Sequence, residues 1–143
     1  MPASSEHARR VREGLEFLSD PHAEKYYNDR VIEYFYVALH MFEAALYDFG
    51  QKPAKHLYKH GDRTQFLSRV RFDPKHPFFE MVADYEALRS LSEQARYLSP
   101  AGAETYEPLR VPRDIEQAKM YFQKIRSVIE ALYTSNSKPI PWA

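Results

Sequence analysis

The chain contains no cysteine among its 143 residues. That excludes a disulfide framework, a thiol nucleophile, a Cys-ligated zinc and an iron–sulfur cluster, and it fits a reducing compartment. Glycine occurs only four times, too sparsely for a turn-rich β architecture. Net charge is also missing: 20 Lys and Arg balance 20 Asp and Glu. A neutral chain argues against a broad nucleic-acid-binding face but leaves room for a local basic patch. No apolar run reaches the roughly 18 residues a membrane span needs. The most apolar stretch, 31–46, is broken by Glu33, His40 and Glu43, and residues 1–12 have no apolar signal-peptide core. A cytoplasmic protein without membrane association is the expectation. There is no P-loop, no Gly-x-Gly-x-x-Gly and no internal repeat.

What the chain does have is aromatic mass. Aromatics make up 15% of it, with 11 Tyr and 9 Phe, which sets it apart from disordered chains. Its length suits a single domain, 1–143, with one core. Apolar residues recur at helical spacing in four long segments. A first helix is predicted over 6–18, with Ala8, Val11, Leu15 and Leu18 on one stripe, ended by Asp20-Pro21. A second is predicted over 27–49. It is apolar on most sides, with Val31, Phe35, Leu39, Phe42 and Leu46 on one face and Ile32, Tyr34, Tyr36, Val37 and Met41 on much of the other. Such a helix is either central or part of an oligomer interface, so a homodimer is an open expectation.

Residues 51–63 read as a loop and 64–70 as a short third helix. Asp73-Pro74 is placed to open a fourth helix, unless His76-Pro77 delays the start. Its inner stripe runs from Phe78 and Met81 through Tyr85 and Leu88 to Leu91 and Ala95. After a Pro-rich connection over 97–112, a fifth helix is predicted over 115–133, with Asp114 and Gln117 as a capping pair. The Ser- and Pro-rich segment 134–143 reads as a flexible tail. No segment alternates as a strand does. The fold class is all-α, an antiparallel up-and-down bundle of four to five helices.

Three groups of residues bear on chemistry. His40 interrupts the apolar run 35–46, where an imidazole needs a hydrogen-bonding partner. Lys52, Lys55, His56, Lys59, His60 and Arg63, with Tyr58 among them, form the densest basic cluster, suited either to a phosphate backbone and a stacked base or simply to a solvated loop. Arg71 and His76 have the residue types of a metal-free ribonuclease, arginine to stabilise phosphorane charge and histidine to move a proton. Asp73, Pro74 and Pro77 interrupt the helix that would align them. Glu-x-x-His pairs, which bundles use for carboxylate-bridged metals, do not occur. Neither a metal nor a cofactor is expected.

The segment Tyr34-Phe-Tyr-Val-Ala-Leu-His40-Met-Phe-Glu-Ala44, the element His60-Gly-Asp-Arg63 after Pro53, the run Leu91-Ser-Glu-Gln-Ala-Arg96-Tyr97, and Asp114 at a helix start together resemble the HEPN family of small helical-bundle domains, in its prokaryotic stand-alone branch. The likeness covers residues 8–133. It implies an antiparallel bundle, often dimeric, with RNA or nucleotide binding. Many such proteins are metal-independent endoribonucleases of toxin or defence systems, sometimes with a cognate protein partner. Their Arg-x4–6-His signature corresponds here only to Arg69 or Arg71 with His76, while His40, His60, Arg63 and Arg96 match the branch's polar positions. The alternative is a non-catalytic homodimeric interaction or scaffold protein.

Overall fold

The computed structural model describes residues 3–49, 60–96, 109–110 and 112–143. Among these are five α-helices and no strand: α1 (Ala3–Ser19), α2 (Tyr27–Asp48), α3 (His60–Val70), α4 (Val82–Arg96) and α5 (Arg113–Ser135). Short 3₁₀ turns at Pro21–Ala23 and Phe79–Met81 precede α2 and α4. No helix among the described residues is long and apolar enough to cross a membrane.

The all-round apolarity of α2 is explained by its position. It is the central helix, packed against α1, α4 and α5 at once. Tyr34 is buried against Phe122 of α5, and Phe35 and Phe42 both meet Tyr85 of α4. Val37 and Met41, which sequence alone could assign to a partner's surface, are buried within the chain. His7 of α1 meets His40, and Tyr133 of α5 meets Asp48, so α1 runs antiparallel and α5 parallel to α2. Phe78, just before α4, packs on Phe42, and Arg96 at the end of α4 lies over Tyr36. The direction of the chain therefore alternates through α1, α2, α4 and α5.

Helix starts deviate most from the sequence reading. Helix α4 begins at Val82, not at Asp73-Pro74. The Asp73 carboxylate accepts from the Lys75 N–H at 3.2 Å and its carbonyl from the His76 N–H at 3.0 Å, which closes a turn. Pro77 then keeps His76 out of the helical region. Helix α5 starts at Arg113, so Asp114 lies in its first turn and does not cap it. The buried Asp114 carboxylate accepts from the Arg110 N–H at 2.6 Å, and the Asp114 N–H returns a bond to the Arg110 carbonyl at 2.7 Å.

The segment after α5, expected to be a flexible tail, packs back on the bundle. The Ser137 N–H bonds the Thr134 carbonyl at 3.1 Å and the Lys138 N–H bonds the Tyr133 carbonyl at 3.0 Å, with Ser137 at φ 55°. This is the Schellman arrangement, with serine where glycine is usual. It turns the chain so that Trp142 is buried edge-on against Tyr133, its indole N–H donating to Glu130 Oε2 at 2.8 Å. Arg12 of α1 holds the Pro141 carbonyl at 2.9 Å. A proline-rich composition concealed one aromatic anchor.

Gly14 sets the approach of α1 to α2. A Cβ there would lie 2.2 Å from Val37 Cγ2 and 2.6 Å from Glu33 Oε1. The Glu33 carboxylate can swing away, but a β-branched valine in a helix has one preferred rotamer, so the helices must part. Gly14→Ala gains up to about 1 kcal/mol of helix propensity and loses about 1–3 kcal/mol to overpacking. We expect a net loss of about 1 kcal/mol, seen as a melting temperature lower by roughly 4 °C. An unchanged or higher melting temperature would show that the helices are not in close contact there.

Candidate functional site

The close α1–α2 contact brings two imidazoles together. His7 is seven residues before Gly14 and His40 seven after Glu33, so an antiparallel pair in register at Gly14 and Glu33 must also bring the histidines opposite each other. Their Nδ1 atoms are 2.8 Å apart and the rings are half-buried. At this distance one Nδ1 carries the hydrogen and the other accepts it. Neither Nε2 has a partner among the described residues. Tyr47, two turns further along α2 than His40, stacks on His7 at 6.2 Å between centroids.

Arg63, in the first turn of α3, reaches the same region. Its Nε donates to Glu43 Oε1 at 2.7 Å, with side-chain exposures of 12% and 7%. Glu43 is three residues after His40, on the same face of α2. Tyr85 of α4 lies within the fields of Glu43, Arg63 and Arg89. It is buried with no hydrogen-bond partner for its hydroxyl among the described residues, and burial pushes its phenol above the usual range.

The electrostatics favour uncharged rings. Burial lowers His40 to about 4, with contributions from His7, Arg10 and Arg63 against a small opposing one from Glu6. His7 is lowered by burial and by Arg10 and Arg63. Because the two rings share one hydrogen, the pair can hold at most one extra proton, and its titration belongs to both residues. In the unfolded chain His40 returns to about 6.5. The folded value lies below the unfolded one, so the stability linked to His40 is fully present above pH 6.5 and is lost as the pH falls through 4. At 1.36 kcal/mol per unit, reduced for the part of the ring that water reaches, the loss is on the order of 2 kcal/mol. An imidazole proton NMR titration is expected to leave His40 unprotonated at pH 5.5. A midpoint near 6.5 for both rings would show that water reaches them freely.

The other candidates are distributed differently. The backbone of His60 opens α3, while its side chain, and the whole of Lys55, His56 and Lys59, lie outside the described residues. Arg71 is exposed in the turn after α3 and is ion-paired with Glu86. The half-buried His76 ring lies between Phe66 and Phe78, and its Nδ1 accepts from the Phe78 N–H at 3.2 Å. Arg71 and His76 thus have separate structural partners. Arg96 lies over the Tyr36 ring at 5.8 Å, at the far end of α4. Of the named candidates, the fold brings together His40 and Arg63, and adds His7, Glu43 and Tyr85. Among the described residues no three His, Asp or Glu side chains form a group that could hold a metal ion.

The fold and this cluster define a helical bundle with a half-buried imidazole pair beside a buried arginine–glutamate ion pair. No family model, no curated protein and no solved structure matches the chain.

Proposed function

We propose that this chain is a HEPN-like domain that binds RNA at the His7–His40–Arg63 cluster and cleaves it without a metal ion. The observation that carries the reading is the Nδ1–Nδ1 contact of 2.8 Å. It makes two chemically alike rings inequivalent: the ring that donates at Nδ1 has a lone pair on Nε2, and the ring that accepts at Nδ1 carries its own hydrogen on Nε2. Such a pair supplies one base and one acid. The donor ring's Nε2 takes the proton from a ribose 2′-hydroxyl. The 2′-oxygen bonds to phosphorus and the P–O5′ bond breaks, while the shared hydrogen crosses to the second ring's Nδ1 and that ring's Nε2–H gives its proton to O5′. The products are a 2′,3′-cyclic phosphate and a 5′-hydroxyl. Arg63 and Arg10, whose charges already bear on both rings, attract the phosphodiester and stabilise the charge that develops on it. The field of the two arginines also keeps the pair free of an extra proton, the state in which this relay can run. Acid, base and charge stabilisation are all present in side chains, and no step calls on a metal.

The reading as a non-catalytic scaffold drew on the second apolar face of α2, of which Tyr34, Val37 and Met41 are buried within the chain and Ile32 and Tyr36 are partly buried. The test is incubation of labelled RNA with the protein in EDTA, comparing wild type with His7→Ala and His40→Ala. Cleavage by wild type alone supports the reading, and equal cleavage by all three refutes it.

A further inference from the structure

At the opposite end of the α1–α2 pair from the imidazoles, about ten residues or 15 Å along α2, a cleft of 940 Å³ opens between α1, the start of α2 and α5. Tyr34, Phe122 and Trp142 line its floor, all three largely buried. Five Arg and Lys side chains and three Glu line its walls. Three of these cations are committed elsewhere. Arg9 is paired with Glu6 and Glu13, Arg126 with Glu130, and Arg12 donates to the Pro141 carbonyl. Arg30 and Lys119 have no such partner among the described residues.

Arg30 is the unusual member. Its Nε is shielded from water and has no acceptor among the described residues. A buried donor on a charged group is costly to leave unmade, and proteins rarely keep one without a reason. No described residue offers it an acceptor, so one brought by a ligand is the simplest completion. A guanidinium presents a planar fork of donors that matches two oxygens of a phosphate. Lys119, on α5 across the cleft, adds a second point of positive charge. The aromatic floor gives apolar contact to whatever carries the phosphate.

We propose that the α1–α2–α5 cleft is a binding site for a phosphomonoester with an apolar, ring-bearing body, its phosphate held by Arg30 with Lys119 opposite. The site is separate from the imidazole pair and does not depend on the RNA reading. It also accounts for the packed C-terminal segment, which places Trp142 in the floor.

Trp142 is the chain's single tryptophan, so its emission reports on this cleft alone. The full chain is titrated with inorganic phosphate and with phenyl phosphate at constant ionic strength, by calorimetry and by Trp142 fluorescence. Both ligands are expected to saturate, phenyl phosphate at least fivefold tighter because its ring covers the floor. Arg30→Gln is expected to weaken phenyl phosphate at least tenfold and to melt no lower than wild type without ligand, since it removes an unsatisfied donor. Lys119→Gln is expected to weaken it about threefold, and His40→Ala to leave it unchanged. No saturable response in wild type, undiminished binding by Arg30→Gln, or a marked fall in that variant's own melting temperature would each overturn the proposal. The last would make Arg30 a structural residue.

Discussion

Arg63→Ala is expected to lower stability by about 3 kcal/mol, and the melting temperature by roughly 10 °C. The magnitude follows from the burial of its partner. Glu43 is 6% exposed, and the substitution withdraws the guanidinium that lies 2.7 Å from its carboxylate. A surface ion pair is worth at most about 1 kcal/mol, but withdrawing a charge-assisted hydrogen bond from a carboxylate this deeply buried costs considerably more. The double variant Arg63→Met with Glu43→Met is expected to melt close to wild type, because two well-packed apolar chains replace an ion pair whose own desolvation largely cancels its attraction. Thermal unfolding of the three proteins measures this directly. A fall of less than 2 °C for Arg63→Ala would mean that water reaches Glu43. The same double variant separates structure from chemistry: it should fold normally and fail to cleave RNA.

His7→Ala and His40→Ala are each expected to reduce RNA cleavage by about 10²–10⁴, the usual contribution of a positioned acid or base. The pH profile is the sharper expectation. The relay needs the pair without an extra proton, so kcat/KM should rise with pH through the pair's apparent value, which lies below the ordinary 6.5, and stay level above it. A profile still rising above pH 7 would show that the pair does not titrate as its surroundings dictate. Because the stability linked to His40 is also lost as the pH falls through 4, the acid limb should be checked against circular dichroism, so that lost activity is not mistaken for lost fold.

The helices were legible because the hydrophobic stripes are long and regular. Phe78, Met81, Val82, Tyr85, Leu88, Leu91 and Ala95 read as one face and are all buried. Starts were less legible, since Asp73 and Asp114 have the chemistry of caps and yet close a turn and a loop. His40 was identifiable as an imidazole in an apolar run, but His7 was not. It sits among charged neighbours in α1, and only the antiparallel register through Gly14 brings it to His40. That register can be read in hindsight: one glycine in a helix, a short Asp-Pro break, and two histidines equally far from the contact. Glu43 interrupts an apolar face, which marked it as unusual, but its partner lies 20 residues away beyond a loop whose path the sequence does not specify. Trp142 is inconspicuous in the sequence because Pro, Ser and Lys surround it, and composition averages away one buried anchor.

The central claim is that the His7–His40 pair is an acid–base couple acting on RNA. Its most direct test is the end chemistry of the products formed by wild-type protein at pH 7 in EDTA, beside the His40→Ala variant. The account predicts 2′,3′-cyclic phosphate and 5′-hydroxyl ends from wild type and none from the variant. Intact RNA in both reactions, or the same ends at the same rate from both, would contradict it.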